Sequence, residues 1–183
     1  MKVIVSEKDE TKRLIITDSI IEESDELQAI CNKWDDKFII EGSNFESDYI
    51  HKCLTEGDLP PIPDASKDYY KLKSIYLKDT GKLIGFSDIY YGFPSEETAW
   101  ISIFIIDKQF RKKGYAQEAI DFISDECVKK GYKNIGIAVH LKNWSALRFW
   151  TKAGFNRVMT VFGDNGYSEK AYALIGLEKS LAD

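Results

Sequence analysis

The sequence at residues 103–116, IFIIDKQFRKKGYA, passes from a buried strand through a basic loop directly into a helix. The first turn of a helix leaves backbone N–H groups without partners and carries a partial positive charge of roughly half a unit, so anions bind there. Gly114 and the small side chain of Ala116 allow a phosphate to approach this backbone closely. The stretch therefore predicts a phosphate-binding turn between a strand and a helix.

Basic side chains surround this turn: Lys108, Arg111, Lys112 and Lys113. Because an arginine can hold a phosphate through two parallel hydrogen bonds, the cluster favours a diphosphate ligand. Neither G-x-x-x-x-G-K-[ST] nor G-x-G-x-x-G occurs in the chain, which disfavours ATP and dinucleotides. A solvated basic loop in front of an ordinary helix is the other interpretation of the same residues.

Helices and strands alternate on the carboxyl-terminal side of this stretch. Apolar residues with a period of about 3.6 predict a helix that begins after Gly114 and ends at Gly131. Asn143 is the predicted N-cap of a shorter helix that runs to Lys152. The predicted strands on this side are 134–141, 157–162 and 172–177.

Three segments rich in β-branched and aromatic residues predict strands at 71–79, 83–92 and 98–107. Turn residues at Thr80 and Gly81, and again around Pro94, connect them as an antiparallel meander. A meander that continues as strand, helix, strand, helix and strand predicts an α/β fold with a mixed sheet and helices packed on it.

The first 66 residues have weaker patterns. They predict a strand at 14–17, a helix from its N-cap Ser24 to about Lys33, and a second helix at 46–54. Three prolines between positions 60 and 63 predict a loop at the rim of the fold. Because domains average about 100 to 200 residues, we expect one domain over residues 1–183.

The composition excludes several classes of protein. Hydrophobic residues make up 44% and charged residues 30%, which disfavours disordered and collagen-like chains. The formal net charge of −5 argues against a surface built to bind nucleic acid. Charge is uneven along the chain, since residues 7–36 carry net −6 and residues 107–160 carry net +6. One part of the fold can attract a cation and another an anion.

Cysteine usage and hydropathy indicate a location. Cys31, Cys53 and Cys127 lack the spacing of a disulfide framework or a metal site. The start, MKVIVSEKDETKR, lacks the apolar stretch of a secretory signal, and no run approaches the roughly 18 apolar residues of a membrane span. We therefore expect a cytoplasmic protein with no metal and no membrane or nucleic-acid partner.

Two motifs resemble a known family. Arg111 to Ala116 read RKKGYA, which is similar to the pattern [QR]-x-x-G-x-[GA] of the GNAT superfamily of N-acetyltransferases. Residues 143–155, NWSALRFWTKAGF, resemble the second family block, an asparagine followed by a short helix that ends in Gly-Phe. The resemblance covers residues 70–177, the expected cofactor-binding core, and makes 1–66 the variable segment on the substrate side. It implies a sheet that is splayed at its centre.

The resemblance implies acetyl-CoA as co-substrate. Its diphosphate would bind the amides of Lys112 to Ala116, and its pantetheine arm would pair with the free strand edge where the sheet splays. A backbone N–H of Phe104 or Ile105 would polarise the thioester carbonyl. The implied cofactor-binding residues are Phe104, Ile105, Ile106, Arg111, Lys112, Lys113, Gly114, Tyr115, Ala116, Asn143, Phe149 and Trp150.

The expected reaction is direct transfer of the acetyl group to an amine, which must first lose a proton. The glutamate that often serves as the base in this family falls near Ser102, so Glu97, its neighbour Glu96 and Asp88 are the nearby carboxylates. The usual acid, a tyrosine, is replaced by Trp150, which donates no proton at useful pH. The catalytic candidates are therefore Ser102, Glu97 and the amide of Ile105.

The expected partner is an amine acceptor, either a small molecule or a peptide, and the expected assembly is a monomer or a homodimer. Two alternatives stay open: a relative that binds CoA without catalysis, and a phosphate-binding or nucleic-acid-binding module that uses the basic cluster at 108–113. His140, at the end of the strand predicted at 134–141, is either a surface residue or a substrate contact.

Overall fold

The structure, a computed structural model, describes residues 9–181. Residues 1–8, which form most of the start analysed for a signal, and residues 182–183 lie outside this range. The strands are β1 (Asp9–Glu10), β2 (Leu14–Asp18), β3 (Tyr70–Leu77), β4 (Leu83–Tyr91), β5 (Thr98–Ile101), β6 (Phe104–Ile106), β7 (Asn134–His140), β8 (Arg157–Gly163) and β9 (Ala173–Ser180). The helices are α1 (Ser24–Asn32), α2 (Lys37–Glu41), α3 (Tyr49–Thr55), α4 (Tyr115–Lys129) and α5 (Trp144–Lys152).

These strands form one mixed sheet in the order β1-β2-β3-β4-β5-β7-β9-β8, and β6 pairs with β4. The pairing of β5 with β7 is parallel, and the other pairings are antiparallel. The meander and the alternation of strands and helices that follows it confirm the predicted α/β fold. No helix within residues 9–181 is long and apolar enough to cross a membrane.

Helices cover both faces of the sheet. On one face, Leu27 of α1 and Ile50 of α3 pack in a cluster with Phe86 of β4. On the other face, Ala119 of α4 packs with Ile84, the neighbour of Phe86 on the same strand. Successive side chains of a strand point to opposite faces, so β4 is covered on both sides and its residues are buried from Leu83 to Tyr90.

Both helix caps predicted beside the motifs are confirmed. Gly114 is the N-cap of α4 and has a φ of 83°, a left-handed conformation that favours glycine. The Oδ1 atom of Asn143 accepts a hydrogen bond from the amide of Ala146 at 3.0 Å, which caps α5. The two motifs therefore begin their helices at the predicted residues.

The structure departs from the prediction in the amino-terminal part and in the third strand of the meander. A 3-10 turn at Ile21–Glu23 precedes α1, so Glu23, and not Ser24, is the N-cap. The short helix α2 carries no apolar period and was not predicted. The strand expected at 98–107 is divided into β5 and β6 by a break at Ser102 and Ile103.

Candidate active site at the opening of the sheet

The central sheet opens after the break at Ser102 and Ile103. The parallel pairing of β5 with β7 reaches Ile101 opposite Ile137. Among residues 9–181, β6 pairs with β4 alone, while β7 continues to His140 paired with β9. A gap therefore separates β6 from the last residues of β7, as the expected splay requires.

Asp88 of β4 holds the break in place. Its Oδ1 atom accepts hydrogen bonds from the amides of Ser102 at 2.8 Å and Ile103 at 2.9 Å. The side chain is fully buried, and burial raises its pKa to about 8 although the two amide donors oppose the shift. Its Oδ2 atom has no hydrogen-bond partner in the described part of the chain.

The register of β6 decides which amides face the opening. Asp88 donates to the carbonyl of Ile103, and Asp107 donates to that of Ile84, with Ile105 opposite Phe86 between them. Backbone groups alternate in direction along an antiparallel strand, so the N–H and C=O of Ile105 point toward β4. Those of Phe104 and Ile106 point toward the gap.

This register corrects the expectation for Ile105. Its amide belongs to the pairing with β4 and its side chain lies in the core beside Phe86. The amide of Phe104 is the one on the free edge. Arg111 reaches the same edge, since its Nε donates to the carbonyl of Ile106 at 2.7 Å.

The predicted phosphate-binding turn has the backbone geometry of an anion site. Lys112 and Gly114 have positive φ values of 62° and 83°, and α4 begins at Tyr115. The amide of Glu118 donates to the carbonyl of Gly114. The three amides before it, at residues 115–117, belong to the first turn, where a helix supplies no partners.

Arg13 of the amino-terminal segment adjoins this turn and was missed by sequence analysis. Its Nη1 donates to the carbonyl of Lys113 at 2.9 Å, and its Nε pairs with Glu118 at 2.6 Å. Its guanidinium carbon lies 4.5 Å from the ring centroid of Tyr115. A Cβ atom at Gly114 would lie 3.2 Å from its Nη2. No local pattern indicates a contact between residues about a hundred positions apart.

A cavity of about 400 Å³ occupies the opening of the sheet. The break between β5 and β6, the end of β7 and the start of α5 line one side, and α2 and α3 contribute to the other. Aromatic side chains form much of the wall, namely Trp34, Phe45, Tyr49, Phe104 and Trp150. Asn143 lines the cavity as well as capping α5, so both functions expected for it are compatible.

Phe149 and Trp150, which the resemblance expects at the sulfur end of the cofactor, pack against Phe104. Phe149 stacks on Phe104 with ring centroids 6.1 Å apart, and Trp150 contacts Phe104 edge-on at 5.6 Å. Trp150 is 7% exposed and also packs on Phe155 of the core. The aromatic side chains of α5 therefore rest directly on the free strand β6.

The structure separates the expected catalytic residues. Ser102 lines the cavity. Glu97 precedes β5 at its far end, where its side chain pairs with Lys133 and its carbonyl accepts the amide of that residue. Glu97 lies four positions before Ile101, about 13 Å along the strand, so Glu97 is not brought to the cavity.

Titratable side chains that sequence analysis did not place in the site line the cavity from α2. Lys37 and Glu41 form an ion pair at 2.7 Å, and Glu41 also faces His140 of β7. No group of three or more His, Cys, Asp or Glu side chains within residues 9–181 is arranged to hold a metal ion. The side chains and amides that line the cavity can supply hydrogen bonds, charge and proton transfer.

Comparison with known proteins points to one family. A model of the acetyltransferase (GNAT) family matches residues 29–155. No curated protein matches the sequence significantly. The family match includes both motifs, the break at Ser102 and Ile103, and helices α2 and α3 of the cavity wall.

Solved structures share the fold at low sequence identity. An acetyltransferase from Thermus thermophilus is 17% identical with a TM-score of 0.70, over 91% of this chain and 96% of that one. A putative phosphinothricin N-acetyltransferase is 18% identical with a TM-score of 0.69, over 93% and 99%. A ribosomal-protein α-N-acetyltransferase, solved in complex with coenzyme A, is 11% identical with a TM-score of 0.71, over 93% and 95%.

Proposed function

Because the chain belongs to the acetyltransferase (GNAT) family, we propose that it transfers an acetyl group from acetyl-CoA to a primary amine. The observation that carries the proposal is the break at Ser102 and Ile103, which leaves the edge of β6 free beside a cavity of about 400 Å³. A strand edge buried without a partner would be costly, whereas an extended ligand with amide groups satisfies it.

The residues present fit acetyl-CoA. The amides of residues 115–117 are free to bind a diphosphate, and Arg111, Lys112 and Lys113 add positive charge beside them. The backbone groups of Phe104 and the amide of Ile106 on the outer edge of β6 would bind the pantetheine arm, while the carbonyl of Ile106 accepts from Arg111. Bound acetyl-CoA supplies an activated acetyl thioester.

Phe104 and α5 complete this half of the site. The amide of Phe104 would stabilise the negative charge that develops on the carbonyl oxygen during transfer. Trp150 and Phe149 would exclude water from the sulfur end. Asn143 would contact the pantetheine arm.

We further propose that the acceptor enters between α2, α3 and the break, and that residues 1–66 form its variable side within one domain. One of the similar structures is a putative phosphinothricin N-acetyltransferase and another is a ribosomal-protein α-N-acetyltransferase, so we propose an acceptor that is a small molecule or a peptide. Cys31, Cys53 and Cys127 are buried thiols, which supports a reducing, cytoplasmic location.

Thiol release from acetyl-CoA with a panel of amines tests the proposal. We expect release that depends on the amine, together with thermal stabilisation by micromolar CoA. Stabilisation without turnover would favour the relative that binds CoA only. Oligonucleotide binding with steep salt dependence, and no response to CoA, would favour the nucleic-acid-binding alternative.

A further inference from the structure

Two elements from distant parts of the chain meet at the cavity. His140 is the last residue of β7, and Glu41 is the last residue of α2. The Oε2 atom of Glu41 lies 4.0 Å from Nε2 of His140 and 2.7 Å from Nζ of Lys37. One carboxylate oxygen therefore faces an imidazole and a permanent cation.

Lys37 is held firmly in this arrangement. Its side chain is 9% exposed, its Nζ lies 4.5 Å from the ring centroid of Phe45, and it donates to the carbonyl of Ser43 at 3.3 Å. The charge of Glu41 is thus already balanced by a fixed partner. The carboxylate is free to orient the imidazole without forcing it into the protonated state.

The surroundings of His140 favour its neutral form. Burial lowers its pKa, Lys37 lowers it further, and Glu41 opposes both effects. In the described part of the chain, these two residues of α2 are the charged groups that face it. Leu174 of β9, its neighbour in the sheet, and Asn143 at the start of α5 are uncharged.

One nitrogen of the His140 imidazole, Nε2, faces Glu41, and the other, Nδ1, does not. Glu41 lies 4.0 Å from Nε2, so a proton on that nitrogen would face the carboxylate and leave the lone pair on Nδ1. Nδ1 is buried and has no hydrogen-bond partner among residues 9–181. A buried acceptor without a partner costs free energy, and a substrate N–H would supply the missing donor once the side chains around the imidazole adjust to expose Nδ1 to the cavity.

The other titratable groups of the cavity are poorer bases. The carboxylate of Glu46 forms an ion pair with Nζ of Lys52 at 2.5 Å. Burial strongly raises the pKa of Tyr49, so its hydroxyl stays protonated. Asp88 is buried behind the break and does not line the cavity.

We propose that His140 is the general base of the acetyl transfer and that Glu41 positions its imidazole. As the amine nitrogen forms its bond to the carbonyl carbon of the thioester, the C–S bond breaks and its electron pair leaves on the sulfur of CoA. The proton lost by the amine passes to His140, which returns it to the thiolate or to solvent. The proposal rests on the proposed function.

Steady-state kinetics of His140→Gln test the base, with His51→Gln as the matched control because the chain has only these two histidines. His51 is exposed on α3 and does not line this cavity. We expect His140→Gln to lower kcat on the order of 10²-fold and to flatten the acidic limb of kcat/KM, with the KM for acetyl-CoA within about twofold. His51→Gln retains the wild-type profile.

The outcomes separate the two proposals. If wild-type protein shows no turnover with any amine, the proposed function and the base fail together. If His140→Gln still binds CoA and keeps more than half of the wild-type kcat with its acidic limb unchanged, only the base assignment fails.

NMR titration of the His140 imidazole gives a readout that needs no turnover. We expect the pKa of His140 to lie below the ordinary value of about 6.5. Glu41→Gln removes the opposing negative charge, so it should lower the pKa of His140 further. A pKa of His140 above the ordinary value, or no response to Glu41→Gln, would overturn the arrangement.

Discussion

The Oδ1 atom of Asp88 lies 2.8 Å from the amide nitrogen of Ser102, and this contact joins the middle of β4 to the point where the sheet opens. The same atom accepts the amide of Ile103, so a single carboxyl takes the two consecutive amide donors at the break.

Asp88→Ala should destabilise the protein by about 2 to 6 kcal/mol, because two partly buried amides lose their acceptor at about 1 to 3 kcal/mol each. Asp88→Asn is the matched variant, since its amide oxygen can still accept both bonds, and it should cost clearly less. Urea unfolding of the two variants measures the difference. Equal stability of Asp88→Ala and wild type would show that the break does not depend on this carboxyl.

The pKa of Asp88 predicts a pH dependence of stability. Burial raises it from 3.8 to about 8 in the folded protein, so the folded state keeps a proton that the unfolded state has lost. The contribution of this raised pKa to the free energy of unfolding is fully present below pH 3.8 and is lost as the pH rises through about 8. The difference in unfolding free energy between wild type and Asp88→Asn should therefore shift against the wild type over this range. A pH-independent difference would contradict the raised pKa.

The phosphate-binding turn can be tested with two glycines of nearly equal φ, Gly114 at 83° and Gly131 at 87°. Alanine at either position should cost about 1 to 2 kcal/mol of stability through its left-handed backbone. Only Gly114→Ala places a Cβ against Arg13 at the turn, whereas Gly131→Ala meets nothing within 4 Å. We expect about a tenfold loss of CoA affinity, or 1.4 kcal/mol, for Gly114→Ala alone.

Calorimetric titration with CoA measures both glycine variants. Gly114→Glu, which adds negative charge as well as bulk, should abolish binding while the protein stays folded. Full affinity in Gly114→Glu would place the diphosphate elsewhere.

Features set by neighbouring residues were predictable, and features set by distant ones were not. The turn at Gly114 and the cap at Asn143 depend on residues within one helical turn, so short patterns predicted both. The break depends on Asp88, which lies 14 residues from Ser102 on another strand. An apolar, β-branched segment such as 98–107 predicts a strand and contains no sign of its interruption.

In the candidate site, too, features set by neighbouring residues were predictable and features set by distant residues were not. Sequence analysis predicted the free edge at Phe104 to Ile106 but could not assign its register, because the direction of each amide follows from the pairing with β4. Glu41 and His140 meet only after the sheet and α2 have packed. Sequence analysis selected Glu97 because it is close to Ser102 along the chain. The carboxylate of Glu41, which lines the cavity with Ser102, is distant in sequence.

Trp150 should act as a wall of the site and not as a proton donor. Its ring contacts Phe149, Phe155 and Phe104 at centroid distances of 5.0, 4.8 and 5.6 Å. Trp150→Phe keeps an aromatic ring in this cluster, so kcat should fall by no more than about threefold, whereas Trp150→Ala should cost about 3 to 5 kcal/mol of stability. Loss of all thiol release in a folded Trp150→Phe variant that still binds CoA would show that the indole N–H takes part in the chemistry.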